Sequence, residues 1–292
     1  MAPVFTPFDE NGELHLGLIP EYAKYLHDNG INGVLVNGTT GEGVSMTTKE
    51  RLDVVNEWVK ASALFGQTVM VQVGGTNMAD VKTLAREAEK AKVSSILCLA
   101  DLFFRPSTVD DLLKYLNIVS KEAPSTPLLY YHIPSFTGIN VDVRELLRKR
   151  NQVPTMVGVK FTDNDLVVGR SCVSSDDTRD AAVFLGSDSL LLAALTQGFD
   201  SAIGTTINMF PYLNKQILKY YQEDDIKKAT QSQMKLNKLI EQITRHGSWV
   251  STMKAAMRRL TPIDVGPVRN PLINVSVSQI NLNLAEIEYH GF

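Results

Sequence analysis

Short, continuous apolar runs recur along this chain at intervals of roughly 30 residues, separated by segments of helical pattern. The runs are Gly33–Gly38, Thr68–Gly75, Ser94–Ala100, Pro127–Ile133, Met156–Thr162, Ala181–Ser187 and Ser201–Thr206, with a shorter one inside Ala2–Pro7. Because they are continuously apolar rather than alternating, they predict strands covered on both faces, as in a parallel sheet. Between them, Val81, Leu84, Ala85 and Ala88 follow the i, i+3, i+4, i+7 spacing of an outer helix. Thr47 with Glu50 three residues on forms a capping-box pattern that opens the helix carrying Trp58. Eight strands alternating with helices predict an α/β chain folded as a (β/α)8 TIM barrel over residues 1–222. Roughly 80 residues follow the eighth strand, more than one closing helix needs. Leu236, Leu239, Ile240 and Ile243 mark a long helix there, and two further helical patterns come after it. Residues 223–292 are therefore expected to be a C-terminal helical extension packed on the barrel as a single structural unit. A doubly wound sheet is the alternative, but no G-x-G-x-x-G or Walker A element supports it.

Composition narrows the function classes. With 292 residues, 44% hydrophobic and 21% charged, the chain can bury an ample core. The net charge of −3 is spread without long runs, which argues against nucleic-acid or anionic-membrane partners. No 18-residue apolar stretch exists to span a bilayer. Met1–Phe8 lacks the charged start and apolar centre of a signal peptide. Cys98 and Cys172 lie in apolar or small-residue contexts and make no disulfide framework, so a reducing, cytoplasmic setting is expected. His15, His27, His132, His246 and His290 are scattered without ligand spacing, and no cysteine pair has zinc spacing. There is no G-x-S-x-G elbow. Neither a metal-dependent nor a serine-nucleophile mechanism finds support.

The candidate chemistry collects where a barrel places it, at the C-terminal ends of strands. Lys160 sits inside the apolar run Met156–Thr162, and a charged residue rarely occupies such a run unless it is paired or used. Apolar surroundings disfavour the ammonium form and turn a lysine into a nucleophilic amine. The plainer reading has Lys160 at a strand end, reaching solvent or pairing with Asp163 or Asp165. Gly38-Thr-Thr-Gly-Glu-Gly43 follows the second strand, and its amides and hydroxyls can bind an anion. It also reads as a polar loop with helix-capping threonines, and it is no P-loop, because no lysine follows its last glycine. Tyr130-Tyr-His-Ile-Pro134 closes the fifth strand. A tyrosine there can relay a proton, or simply pack.

Taken together, Gly38-Thr-Thr-Gly-Glu42, Tyr131 ahead of Ile133-Pro134, and Gly158-Val-Lys160 with Thr162 resemble the pyruvate-dependent class I aldolases over nearly the whole chain. That resemblance implies a (β/α)8 barrel with C-terminal helices, a homotetramer, and no metal or organic cofactor. Lys160 is then expected to form the Schiff base, Tyr131 to relay a proton, and Thr39 and Thr40 to hold the pyruvate carboxylate. Gly38–Gly43, Tyr130–Pro134 and Phe103-Phe104 with Pro106 resemble the branch, above all its animal form, that splits N-acetylneuraminate into N-acetylmannosamine and pyruvate. Dihydrodipicolinate synthases usually carry an arginine after Tyr-x-x-Pro to hold a second carboxylate, and Ser135-Phe-Thr-Gly138 offers none. The resemblance also implies that Thr162, Gly186, Asp188, Ser189 and Thr205 line the pocket for the sugar's hydroxyl chain.

Two departures bear on the substrate. A Gly-x-Asp-Glu pattern becomes Gly186-Ser-Asp-Ser189, replacing one carboxylate acceptor by a hydroxyl, worth about 1–3 kcal/mol where the lost hydrogen bond is buried. A Gly-Ser-Thr-Tyr pattern becomes Gly204-Thr-Thr-Ile207, which keeps a hydroxyl and loses the tyrosine. The chain also begins late relative to the family, so the first strand is expected to be short. Two alternatives follow: the same chemistry on another 2-keto-3-deoxy sugar acid, or a non-catalytic scaffold for pyruvate or a sugar acid.

Overall fold

A computed structural model describes residues 1–199 and 201–282. The end of the 223–292 segment, with His290, lies outside the described residues. The chain divides into two compact units, one made of Met1–Gln67 with the chain from Gly204 onward, the other of Thr68–Ile203.

The first unit opens with β1 (Ala2–Pro3), α1 (Ile19–Asp28), β2 (Gly33–Val36) and α2 (Thr48–Ala63). The second contains β3 (Thr68–Gln72), α3 (Met78–Lys90), β4 (Ser95–Cys98), α4 (Val109–Glu122) and β5 (Leu128–His132). It continues with α5 (Pro134–Thr137), α6 (Val143–Arg148), β6 (Met156–Phe161), α7 (Leu166–Val173), β7 (Ala182–Leu185), α8 (Leu191–Thr196) and β8 (Ser201–Ala202). Back in the first unit come α9 (Pro211–Gln222), α10 (Ile226–Thr244) and α11 (Trp249–Leu260). Strand order follows chain order from β1 to β8, and the registered pairs are parallel. That is the strand order of a (β/α)8 barrel, whereas a doubly wound sheet reverses order at its switch point.

The local signals in the sequence have their physical counterparts. The Thr47–Glu50 capping box is formed in both directions, and α2 buries Trp58 edge-on against Tyr22, with ring centroids 5.3 Å apart. Val81, Leu84, Ala85 and Ala88 form the buried face of α3, and Leu236, Leu239, Ile240 and Ile243 that of α10. Where two further helical patterns were expected after α10, the described residues hold α11 and a 3-10 turn at Val277–Gln279. The first strand spans two residues. Its pairing with β2 is reinforced from elsewhere in the same unit: Asn208 Nδ2 donates to the Pro3 carbonyl, while Asn208 Oδ1 accepts from the buried Tyr22 hydroxyl. Among the described residues, no helix is long and apolar enough to cross a membrane. Cys98 and Cys172 are buried, and neither forms a disulfide among the described residues.

Candidate active site

The second unit carries the candidate catalytic pair. Parallel register places Tyr131 on β5 directly beside Lys160 on β6, each one residue from the C-terminal end of its strand. Directly registered neighbours point to the same face of a sheet, so the two side chains meet. Lys160 Nζ donates to the Tyr131 hydroxyl at 3.2 Å and lies 4.3 Å from the centroid of its ring. Lys160 is only 4% exposed and Tyr131 2%. Pairing with Asp163 or Asp165, the plainer reading, does not occur. Asp165 instead accepts the amides of Val167 and Val168 as the cap of α7, and Asp163 accepts the amide of Asp165.

One residue further along each strand, the side chains turn to the other face. There His132 stacks on Phe161 with centroids 5.5 Å apart, and burial brings its imidazole down to about 4. His132 is therefore neutral at physiological pH, and the motif's histidine acts as a packing ring rather than an acid.

Beyond β6, Thr162 donates its amide to the His132 carbonyl. Its hydroxyl is buried without a partner among the described residues and fits against Gly186 so closely that a Cβ there would stand 1.9 Å from Oγ1. The structure thus brings Thr162 and Gly186 together, and explains why position 186 is glycine. Asp188 is buried, while Ser189, the departure from Glu, is exposed. The Ser135–Gly138 turn carries no arginine of its own, yet the fold brings Arg105 against it: a Cβ on Gly138 would meet Arg105 Nη1 at 2.9 Å. The absence of an arginine was a property of that segment and not of its surroundings.

The first unit carries the anion-binding candidate. The Gly38–Gly43 loop turns back on itself, with the Gly43 amide bonded to the Gly38 carbonyl, and a Cβ on Gly43 would collide with the Asn37 carbonyl at 2.0 Å. Thr40 is buried, and its hydroxyl lies 2.8 Å from that of Thr205, which also accepts from Trp249 Nε1 at 3.3 Å. Thr39 is half-buried beside it.

The same loop contains an ion pair that sequence reasoning did not find. Glu42 and Lys254 are both buried, with Nζ 2.7 Å from Oε1. Lys254 also donates to the Thr6 carbonyl at 2.9 Å and lies over the Phe8 ring at 4.2 Å. Burial, opposed by Glu42, brings the Lys254 ammonium down to about 8. Glu42 Oε2 accepts the amide of Arg269, whose guanidinium in turn holds the Glu50 carboxyl down to about 2. A signal for Lys254 existed: Val250, Met253, Lys254 and Met257 share one helical stripe, so the lysine sits among apolar residues. No group of three or more His, Cys, Asp or Glu placed to hold a metal occurs among the described residues.

The strand order of a (β/α)8 barrel, with a buried lysine near the end of β6, defines the class of scaffold, and comparison with known proteins makes it specific. The sequence matches the Dihydrodipicolinate synthetase family over residues 1–287, and the chain belongs to that family. It is 35% identical over 274 residues to N-acetylneuraminate lyase of Mus musculus, covering 93% of this chain and 86% of that protein. The Homo sapiens protein of the same name is 34% identical over 278 residues, covering 94% and 87%. Among solved structures, Proteus mirabilis N-acetylneuraminate lyase superposes with a TM-score of 0.90 at 29% identity, covering 98% of this chain and 95% of that one. The chain therefore has the (β/α)8 fold of these lyases.

Proposed function

We propose that this chain is a Schiff-base aldolase that reversibly splits N-acetylneuraminate into N-acetylmannosamine and pyruvate. The observation that carries the reading is Lys160: buried, without an ion-pair partner among the described residues, and hydrogen-bonded to a buried tyrosine hydroxyl. It is supported by near full-length similarity to proteins named for this reaction.

In the proposed mechanism the neutral Lys160 amine attacks the C2 ketone of the open-chain sugar acid, and loss of water leaves an iminium. The C3–C4 bonding electrons move into that iminium while the C4 hydroxyl gives up its proton, releasing the aldehyde and leaving an enamine. Tyr131, 3.2 Å from Nζ, carries protons between the amine and the substrate, with the substrate carboxylate as local base. Protonation of the enamine at C3 and addition of water at C2 free pyruvate and restore Lys160. No metal or organic cofactor enters these steps. For the carboxylate we assign Thr39 and Thr40, whose amides and hydroxyls fix its orientation. For the polyol we assign Thr162, Gly186, Asp188, Ser189 and Thr205. The working form on this reading is a cytoplasmic homotetramer.

Pyruvate release from N-acetylneuraminate, followed by a coupled NADH assay, tests the reading. Turnover by the wild type and none by Lys160→Ala is expected, and substantial activity in that variant removes the Schiff-base assignment. The exposed Ser189 favours a second reading, the same chemistry on another 2-keto-3-deoxy sugar acid. A panel of keto acids separates the two: cleavage of another acid but not N-acetylneuraminate selects the second. Failure of borohydride to trap pyruvate on Lys160 selects a binding scaffold instead.

A further inference from the structure

Glu42 combines two features that are each unfavourable alone. Its φ is +53°, in the left-handed region that a side chain with Cβ rarely adopts, and its carboxylate is fully buried. Both oxygens are held, Oε1 by Lys254 Nζ and Oε2 by the Arg269 amide. Well-packed apolar side chains in place of a buried ion pair are often equally stable, so stability alone does not account for a charge pair here. What the pair does provide is a directional tie between a loop and a helix.

The tie is doubled. Trp249 and Lys254 both belong to α11 and reach the Gly38–Gly43 loop at different points. Trp249 Nε1 donates to Thr205 Oγ1 at 3.3 Å, and Thr205 Oγ1 is 2.8 Å from Thr40 Oγ1. Lys254 takes hold two residues later, at Glu42, and at Thr6, whose hydroxyl donates to the Gly41 carbonyl at 2.6 Å. Thr39 and Thr40 thus belong to a loop whose conformation is set from α11 through a hydroxyl relay and through an ion pair.

We infer that α11 is the positioning helix of the carboxylate-binding loop, with Trp249, Lys254 and Glu42 as positioning residues that set the Thr39 and Thr40 donors. The inference rests on the assignment of those threonines to the substrate carboxylate. It gives the C-terminal segment a part in substrate recognition without contact to the reacting carbons.

Trp249→Phe and Glu42→Gln test it. Trp249→Phe keeps apolar bulk at a half-buried position, so a folded variant remains available even where Glu42→Gln unfolds. Two readouts are combined, borohydride trapping of pyruvate as a function of its concentration and amide hydrogen exchange of residues 38–43. Half-saturating pyruvate is expected to rise about three- to tenfold, the scale of one net hydrogen bond, with the plateau of trapped Lys160 unchanged and exchange at 38–43 faster. Half-saturation within about twofold of wild type, or unchanged exchange, overturns the inference, since a role limited to global stability moves neither in a folded variant. If the wild type itself traps no pyruvate, the aldolase reading falls, and exchange at 38–43 alone decides the positioning role.

Discussion

Replacing Lys160 and Lys254, the buried lysines among the described residues, by methionine tests whether Lys160 is kept for chemistry and Lys254 by its partner. Lys160 is 4% exposed and makes one hydrogen bond to Tyr131, with no carboxylate among the described residues paired to it. Lys160→Met loses that bond, about 1 kcal/mol, but relieves the desolvation of an uncompensated amine by a similar or larger amount. Its stability is expected within about 1 kcal/mol of wild type, or above it, with turnover abolished. Lys254 is as deeply buried, but Lys254→Met strands the Glu42 carboxylate, which has no exposure at all. Removing one partner of a buried pair costs about 3–5 kcal/mol, a drop in Tm of roughly 10 °C for a chain of this size. The double variant Glu42→Gln/Lys254→Met is expected to recover part of that loss, because no unpaired charge remains. Urea unfolding at pH 7 followed by circular dichroism, with pyruvate release run in parallel, measures both quantities. The reasoning is refuted if Lys160→Met loses as much stability as Lys254→Met, or if Lys254→Met unfolds at the wild-type urea midpoint.

Tyr131→Phe keeps the ring over Lys160 and removes the hydroxyl; turnover is expected to fall about 10²- to 10⁴-fold, read from single-turnover pyruvate release. His132, held neutral by burial at about 4, makes the fold acid-sensitive in a defined window. At pH above the unfolded value of 6.5 the group carries no proton in either state; between 6.5 and about 4 the unfolded chain takes the proton first, so stability falls. The loss levels off below about 4 and reaches about 3 kcal/mol, and His132→Phe, which preserves the stack on Phe161, is expected to lose less stability than wild type between pH 7 and pH 4 in urea titrations. Ser189→Glu restores an acidic acceptor; kcat/KM for N-acetylneuraminate is expected to rise about tenfold, and no change in a keto-acid panel would show that position 189 does not meet the sugar.

Much of the scaffold was legible along the chain because it is written in short-range periodicity. Continuous apolar runs identified the strands, the i, i+3, i+4, i+7 stripe identified α3, and Thr47 with Glu50 identified the start of α2, all within one or two turns of chain. Lys160 stood out for the same reason, as a charge inside an apolar run. The roles of its neighbours were not legible. His132, next to Tyr131 in the chain, is a neutral packing ring, because strand pleat turns it to the face opposite Tyr131. Arg105 and Gly138 lie on separate loops, and only folding puts the guanidinium against the turn.

The Glu42–Lys254 pair marks the boundary between the two kinds of information. Its members are 212 residues apart, and neither carries a local sign of the other. The sequence alone determined the number and order of strands, the outer helices and the lysine set inside an apolar run, since periodic burial and local capping act over a few residues. Tertiary structure decided which charges are paired, which histidine is neutral and which helix holds the Gly38–Gly43 loop. Those outcomes depend on dielectric environment and on distances of a few ångströms, and both are set only when remote segments pack together.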